Sequence, residues 1–374
     1  MKIAISALHL KESPADGVSR FTYESVKRLI LNNPNDNFFL ISGRPLPDSL
    51  IFGLNSENIV IPTAGDNPFN WWYWHERKLP GILRQTGADL FFSPEGFVSL
   101  STDVPQVPVI HDISFYHRPG DLPFIRGVYH RYYCRKFARR AARIITVSGY
   151  CRSDISEYLN VDASKIDVAW NGVSDYFSPI PEPEKNGFRL NLTGGVPYFL
   201  FVGNFSPRKN IPGLLRAWHL FRRETSFPHK LVLAGGRLYL NSETDRMIRF
   251  SPLRDDIILT GPIPHASLAP YYSSAEALVF VPWFEGFGIP AAEAMRCGTP
   301  AILSSVTSLP EVGGEAAIYA NPGNTEEICS AMKKIVTDNS LRASLVEHGI
   351  EQSAKFTWEN TAGCIMKSLQ MAVK

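Results

Sequence analysis

Short apolar runs alternate with amphipathic segments along the first half of the chain. Segments with the apolar spacing of a helix follow Gly17 and Trp74, and a third runs from about Asp121 to Arg143. This alternation of strands and helices predicts βαβ units around a parallel sheet. The apolar runs that predict its buried strands are Lys2–Ser6, Phe38–Ile41, Leu90–Phe92, Val107–Ile110 and Ile144–Val147.

The same alternation starts again in the second half. Its apolar runs each end in Gly, Pro or Ser, where a turn would begin; they are residues 198–203, 230–235, 256–261, 277–282 and 300–304. Helical segments fit between these runs. The last segment predicts an amphipathic helix capped by Thr357. The sequence has no repeat of fixed period, which excludes solenoids and propellers.

The composition changes between these two halves. The segment from Phe177 to Gly195 is rich in Pro, Gly and charged residues, which is typical of a linker. We therefore expect an N-terminal domain over residues 1–178, a linker over 179–195 and a C-terminal domain over 196–356. Open parallel sheets bind ligands at the carboxyl ends of their strands, so we expect a ligand in a cleft between the domains.

Composition and charge exclude several classes of protein. The 374 residues are 44 % hydrophobic and 20 % charged, and the net charge of +2 gives no overall attraction to nucleic acid. The five cysteines form no C-x-x-C pair and no H-E-x-x-H occurs, which argues against a disulfide framework or a zinc site. The opening MKIAISALHL is more typical of a strand than of a signal peptide, and no apolar run is long enough to span a membrane. We expect a reducing, cytoplasmic compartment.

The strongest chemical signal is the segment Glu285-Gly-Phe-Gly-Ile-Pro-Ala-Ala-Glu293. It follows an apolar strand and precedes a predicted helix, for which Pro290 suits the first position. Gly286 and Gly288 remove side chains at the turn, so backbone N–H groups can approach an anion such as phosphate. Carboxylates repel phosphate but accept hydrogen bonds from sugar hydroxyls. The alternative is that Glu293 only complements the helix dipole while Glu285 is solvated.

This E-x7-E segment, with its G-F-G-x-P interior, resembles the signature of the retaining glycosyltransferases of family 4. The resemblance extends over VGNFSPRKNIPGLLRAW and from ILTGPIPHASL to TPAILS, and more loosely over VPVIHDISF and ITVSGYCRSDI. It implies the GT-B fold, with two Rossmann-like domains whose parallel sheets face across a cleft. It also implies that the helix within residues 357–374 returns to the N-terminal domain. The bacterial enzymes that assemble polysaccharides, many of them mannosyltransferases, are the most similar.

The resemblance assigns roles to residues of the C-terminal half. Glu285 would hold hydroxyls of the donor sugar, and Glu293 would accept hydrogen bonds from the ribose. Backbone N–H groups after Glu285 would face the sugar and phosphate. The donor-binding residues are completed by Gly203 and Gly261, which end two strands, and by Gly286, Phe287, Gly288 and Ile289.

Arg208 and Lys209 follow the apolar run of residues 198–203. Two adjacent cations at the end of a strand can neutralise a diphosphate leaving group, the guanidinium by a two-pronged contact and the ammonium as a point charge. The alternative is a solvated basic loop.

Two positions in the N-terminal half carry similar assignments. The resemblance implies that His111 faces the reacting sugar, where its ring can bond a hydroxyl and its carbonyl can stabilise an oxocarbenium charge. The alternative is a packed histidine, and Asp112 either orients it or forms an Asx turn. Gly17 opens a helix where the family often has a double glycine beside the diphosphate. Asp16 precedes it here, and a carboxylate beside a diphosphate is unfavourable. Either Asp16 turns away and the loop contacts the donor, or the loop contacts the acceptor.

The segment Arg126–Arg143 holds seven Arg or Lys residues and no acid. On a helix, its aromatic residues form one stripe and three arginines form a column on another face. The interpretations are a solvated helix face, a contact with an anionic membrane or lipid pyrophosphate, and nucleic acid. The stripe is Tyr129, Tyr133 and Phe137, and the column is Arg131, Arg135 and Arg139.

An aromatic run, Asn70-Trp-Trp-Tyr-Trp74, precedes His75 and Glu76. Aromatic faces stack on sugar C–H groups, so the run belongs either to the core or to the acceptor side of the site.

The resemblance, together with these patterns, implies a retaining hexosyltransferase, with mannosyl transfer from GDP-mannose preferred. Its substrates would be a nucleotide-sugar donor and a glycan or polyprenyl-diphosphate-linked acceptor in bacterial polysaccharide assembly. The protein would also contact the inner face of an anionic membrane. No binding to nucleic acid is expected. No metal or other cofactor is expected, because no D-x-D motif stands near a strand end in the donor half. The alternatives are a GT-B nucleotide-sugar 2-epimerase and a non-catalytic module that binds sugar nucleotides or lipids.

Overall fold

The computed structural model describes residues 1–14, 16–62, 67–236 and 242–374. They form two compact units, the first made of Met1–Gly172 with Trp358–Lys374 and the second of Val173–Thr357. In each unit a parallel sheet alternates with helices along the chain, as the apolar pattern predicts.

The sheet of the first unit has β1 at its centre and the order β3-β2-β1-β4-β5. A parallel bridge from Val109 to Ile145 connects it to the parallel pair β6 and β7. The strands are β1 (Lys2–Ser6), β2 (Asn37–Ser42), β3 (Ser56–Val60), β4 (Leu90–Ser93), β5 (Gln106–Pro108), β6 (Ile144–Thr146) and β7 (Ile166–Val168). The helices are α1 (Gly17–Asn32), α2 (Pro68–Tyr73), α3 (Leu79–Thr86), α4 (Ser114–His117), α5 (Phe124–Arg140) and α6 (Gly149–Leu159).

The sheet of the second unit has the order β10-β9-β8-β11-β12-β13. Its strands are β8 (Tyr198–Val202), β9 (Lys230–Ala234), β10 (Ile257–Gly261), β11 (Ala277–Phe280), β12 (Ala301–Ser304) and β13 (Ala317–Ala320). The helices are α7 (Glu182–Thr193), α8 (Ile211–Glu224), α9 (Ser242–Arg249), α10 (Ala269–Ser273), α11 (Ile289–Arg296), α12 (Leu309–Gly313), α13 (Thr325–Thr337) and α14 (Asn339–Ser353).

Both sheets reverse their strand order beside the first strand of the unit. The chain moves outwards from β1 to β3 and returns to β4 on the other side, and it repeats this path from β8 through β10 to β11. In open parallel sheets, ligands bind outside the carboxyl ends of the strands at such a reversal. Each unit therefore has one position where its loops can form a site.

The segment 179–195, expected to be a linker, instead contains α7, which belongs to the second unit. Pro181 and Pro183 lie at the start of this helix, and Gly194 ends it in the left-handed conformation. Pro181, Pro183 and Gly194, which help to predict a linker, thus mark the two ends of a helix. The helix packs on α10, where the Arg189 side chain donates to the Ser274 carbonyl at 2.7 Å.

The last helix, α15 (Trp358–Ala372), returns to the first unit and packs against α1. Its buried Trp358 lies against the backbone of Gly172, and the Thr361 hydroxyl donates to the Trp170 carbonyl at 2.5 Å. A Cβ atom at Gly172 would lie 2.4 Å from the Trp358 nitrogen. Only glycine fits this close approach.

We expect Gly172→Ala to lower the free energy of unfolding by about 1–3 kcal/mol, because the backbone of α15 must shift. Gly187→Ala is the matched control. Gly187 lies inside α7, where a Cβ atom would meet no described atom within 4 Å. This control should be neutral or stabilising by about 0.5–1 kcal/mol. Urea denaturation of both variants measures the difference, and equal effects would contradict the packing described here.

Candidate active site

The structure brings Arg208, Lys209 and Glu285 together at the strand reversal of the second sheet. The two cations follow β8, the carboxylate follows β11, and these strands are neighbours. The guanidinium Nη1 lies 2.9 Å from Glu285 Oε2, and Lys209 Nζ lies 2.5 Å from the same oxygen.

The backbone holds these two loops in register. Asn210 adopts a left-handed conformation directly after the cations, and its buried side chain donates to the Val281 carbonyl at 3.0 Å. The Trp283 amide donates to the Arg208 carbonyl at 2.8 Å. The cations and the carboxylate are therefore fixed by main-chain contacts as well as by charge.

The electrostatics of this cluster suit an anionic ligand. Lys209 is only 7 % exposed, and its Nζ also lies 4.8 Å from the centre of the Phe280 ring. Burial raises the pKa of Glu285, but the neighbouring Arg208 and Lys209 outweigh burial and hold that pKa below its usual range. Two cations that share one carboxylate keep a net positive charge at the carboxyl ends of the strands.

The loop after Glu285 leads into α11, which begins at Ile289 with Pro290 in its first turn. Gly288 precedes the helix in the left-handed conformation, and the Ser308 hydroxyl donates to the carbonyls of Glu285 and Phe287 at 2.9 and 3.0 Å. The Phe287 side chain is buried against Phe356. Only its backbone, like that of Gly286, can face a ligand.

The glycines that end β8 and β10 lie along the same edge of the sheet. Gly203 donates to the Ala234 carbonyl, and Gly235, after β9, donates to the Gly261 carbonyl. A Cβ atom at Gly235 would lie 2.0 Å from the Gly203 oxygen, so the sheet requires glycine there. A Cβ atom at Gly261 would meet no described atom within 4 Å, which leaves open space beside this backbone.

Glu293 is 3 % exposed, and both of its oxygens already have partners. Oε1 lies 2.5 Å from His265 Nε2, and Oε2 accepts from the Tyr272 hydroxyl at 2.8 Å. His265 Nδ1 also contacts the Tyr176 hydroxyl. Burial, followed by the charge of Glu293, raises the pKa of Tyr272. The sequence pattern does not predict these partners, although PIPHASLAPYY directly after β10 contains two of them.

In the first unit, His111 follows β5, and its ring forms a hydrogen bond to the turn that follows β4. Its Nε2 lies 2.8 Å from the Pro94 carbonyl, and a carbonyl can only accept, so Nε2 carries the proton and Nδ1 is an acceptor. Burial lowers the pKa of His111, and its ring packs on Phe21. Asp112 accepts a hydrogen bond from the Ser114 amide at 2.9 Å. Of the two roles considered for Asp112, this contact is the Asx turn.

Asp16 caps α1, and Gly17 is the exposed first residue of that helix. The two carboxylate oxygens of Asp16 accept from the amide and the hydroxyl of Ser19, each at 2.8 Å. Burial raises the pKa of Asp16, but the bonds from Ser19 more than offset it and the pKa is lowered. The carboxylate is thus committed to the start of the helix.

Helix α5 buries Tyr129 and Phe137 of the predicted stripe. The predicted arginine column is only partly exposed: Arg131 is half-buried, and its Nη1 has no hydrogen-bond partner among the described residues. The exposed side chains of this helix are both apolar and basic. They include Phe124, Ile125, Val128, Tyr132, Arg135, Lys136 and Arg139.

The aromatic run divides between core and surface. Trp74 is buried and donates to the Ile61 carbonyl at 3.2 Å, and burial lowers the pKa of His75 to about 4. Glu76 accepts from the Leu100 amide at 2.8 Å. Trp71 stays half-exposed, and its ring packs against Phe97 at 5.7 Å between ring centres.

Within the described ranges, no three His, Cys, Asp or Glu side chains are grouped so that they could hold a metal ion. No helix in the described part of the chain is long and apolar enough to cross a membrane.

Solved structures with this architecture include glycosyltransferases. Sucrose-phosphate synthase from Thermosynechococcus elongatus has 20 % identity and a TM-score of 0.75, with 98 % of each chain covered. Anabaena HepE in complex with UDP-glucose has 15 % identity and a TM-score of 0.76, with 99 % of each chain covered. The fold is GT-B, with two Rossmann-like domains, as the resemblance implies.

Two family models each match a little under half of the chain, and together they cover most of it. Glycosyltransferase Family 4 matches residues 15–176, and Glycosyl transferases group 1 matches residues 183–352. The chain is a glycosyltransferase made of these two family domains. O-antigen chain mannosyltransferase B of Escherichia coli is 29 % identical over 96 % of this chain and 97 % of its own length. O-antigen chain mannosyltransferase RfbU of Salmonella typhimurium is 32 % identical over 62 % of this chain and 60 % of its own length.

We expect Arg208→Ala to lower kcat roughly a hundredfold or more, because it removes a preorganised cation from a buried site. Arg216→Ala is the matched control, since Arg216 is an exposed arginine of the same unit that pairs with Glu243. The control should keep its activity. Steady-state assays of both variants, together with thermal denaturation, separate catalysis from folding. Activity of Arg208→Ala within about twofold of the wild type would contradict the assignment.

Proposed function

We propose that the chain is a retaining mannosyltransferase that uses GDP-mannose and extends a glycan or a polyprenyl-diphosphate-linked acceptor in bacterial polysaccharide assembly. The observation that carries this proposal is the cluster of Arg208, Lys209 and Glu285 at the strand reversal of the second sheet. The choice of mannose rests on the two O-antigen mannosyltransferases to which the chain is similar.

The donor diphosphate binds at the two cations. Arg208 and Lys209 already share one carboxylate, and a diphosphate would meet both at the N-terminal end of α11, where the helix dipole adds positive charge. These groups stabilise the negative charge that develops on the leaving phosphate, so the transfer needs no metal ion.

The two glutamates bind different parts of the donor. Both cations contact Oε2 of Glu285, so its Oε1 can accept from a hydroxyl of the sugar. Glu293 accepts from the ribose through lone pairs that His265 and Tyr272 do not use, because a carboxylate has about four acceptor sites.

The transfer proceeds on the face that the diphosphate leaves. The bond from the sugar C1 to the phosphate oxygen breaks, the bond from C1 to the acceptor oxygen forms, and the acceptor proton passes to the leaving phosphate oxygen. This path requires no protein nucleophile. His111 belongs to the first unit, and its neutral ring offers Nδ1 to a sugar hydroxyl.

The exposed face of α5 binds an anionic membrane at the cytoplasmic side. Apolar side chains cover its N-terminal half, with Phe124 80 % and Ile125 70 % exposed, and basic side chains follow towards its end. A helix that presents rings and cations together suits the boundary between acyl chains and anionic headgroups. A lipid-linked acceptor would be reached from such a surface.

We expect Glu293→Gln to weaken the binding of free GDP, because the carboxylate is assigned to the ribose. Glu285→Gln should keep GDP binding but lower turnover, because its partner is the sugar. Isothermal titration calorimetry measures the affinity of each variant for GDP. Steady-state assays of sugar transfer, with EDTA present to remove metal ions, measure turnover. An equal loss of GDP affinity in both variants would show that the two roles are not divided in this way.

We expect the triple change of Arg135, Lys136 and Arg139 to Gln to weaken binding to anionic vesicles. Each cation near such a surface contributes about 1 kcal/mol, and salt screens it. The matched control removes the same charge from the second unit, at the exposed residues Arg223, Lys334 and Lys355. Vesicle sedimentation at low and high salt is the measurement. Equal losses in both triple variants, or a wild type that never sediments, would reject the α5 surface.

A further inference from the structure

A carboxylate outside the assignments above lies at the strand reversal of the first sheet. Glu95 follows β4 in a tight turn that the Gly96 amide closes by donating to the Ser93 carbonyl at 3.2 Å. Proline at the second position and glycine at the fourth suit this type of turn. Glu95 occupies its third position, at the carboxyl end of β4 and next to the end of β1.

This turn is held rigidly by its neighbours. The Ser6 hydroxyl, at the end of β1, donates to Glu95 Oε1 at 2.6 Å. The His111 ring bonds the Pro94 carbonyl, and a Cβ atom at Gly96 would lie 2.9 Å from the Val109 oxygen. The carboxylate is therefore preorganised by three strands, as the groups of a binding site usually are.

The second oxygen of this carboxylate is not satisfied. Glu95 Oε2 is buried and has no hydrogen-bond partner among the described residues, although the Leu8 amide and its own amide lie near the carboxyl group. Burial raises the pKa of Glu95, despite opposing contributions from His9 and the Ser6 hydroxyl. A buried acceptor without a donor destabilises a protein unless a ligand or water completes it.

The surroundings of the turn suit a sugar. Phe97, two residues after Glu95, packs against Trp71 at 5.7 Å and His130 at 5.7 Å between ring centres, and these three rings are half-exposed. A carboxylate and an aromatic ring on one loop match a pyranose, which has both C–H faces and hydroxyl donors.

We propose that Glu95 binds the acceptor saccharide, with Oε2 accepting a hydrogen bond from an acceptor hydroxyl beside the apolar surface of Phe97 and Trp71. This inference rests on the proposed function, because it takes the acceptor to be a saccharide. Glu95 does not receive the proton of the transfer, which passes to the leaving phosphate. Glu95 is half-exposed as a whole residue, so a ligand can reach this turn.

The test compares Glu95→Gln and Glu95→Asp with the wild type. The donor is GDP-mannose, and the acceptors are methyl α-mannoside and methyl glycosides of α-linked mannose disaccharides. Both variants should raise the KM for the acceptor roughly ten- to a hundredfold, because a charged hydrogen bond is lost or displaced. The affinity for GDP and the slow hydrolysis of GDP-mannose should stay unchanged. These two donor readouts distinguish acceptor binding from a general loss of structure.

Glu76→Gln is the matched control, since Glu76 is a buried carboxylate of the same unit whose oxygens accept from Leu100 and Ser101. It should lower the melting temperature but keep the KM for the acceptor. A wild-type KM in either Glu95 variant overturns the inference and leaves the proposed function intact. Transfer by the wild type to none of the saccharides also overturns it. A wild type that neither binds GDP nor hydrolyses GDP-mannose rejects the proposed function itself.

Discussion

The oxygen Oε2 of Glu285, shared by Arg208 and Lys209, is the contact on which the second unit's site depends. Two neighbouring cations, one of them nearly buried, would repel each other and lose hydration if no carboxylate faced them. The carboxylate comes from a different strand, so the ion pairs also join the loops after β8 and β11. Those strands meet where the order of the sheet reverses, and α11 begins at Ile289, shortly after Glu285.

The two units use one architecture for different chemistry. At the strand reversal of the second sheet, cations and a helix N-terminus favour a phosphate group. At the reversal of the first sheet, the groups that follow the strands are a carboxylate and a neutral imidazole, which favour hydroxyl groups. A parallel sheet provides the position, while the residues at the ends of its strands decide what binds there.

Much of the sheets follows from the apolar pattern, because β1, β4, β8 and β11 are buried on both faces. The strands that the pattern does not predict, β3, β7 and β13, are short or half-exposed and lack a continuous apolar run. The sequence places Glu285 and the pair Arg208 and Lys209 after two different strands, but only the observed strand order shows that these strands are neighbours. The sequence cannot predict that His265 and Tyr272 form hydrogen bonds to the Glu293 carboxylate, because these bonds depend on how distant loops fold together.

The return of α15 to the first unit has a consequence for the order in which the protein is made. The second unit is one continuous stretch, Val173–Thr357, and the ribosome completes it before α15 emerges. The strands of the first unit are synthesised first, but this unit stays incomplete until α15 is made. Until then, the face of α1 that α15 covers is exposed to solvent. Domains fold as units during synthesis, so the half that starts earlier finishes later. A chain that ends before Trp358 would therefore contain the whole sequence of the second unit but lack one helix of the first.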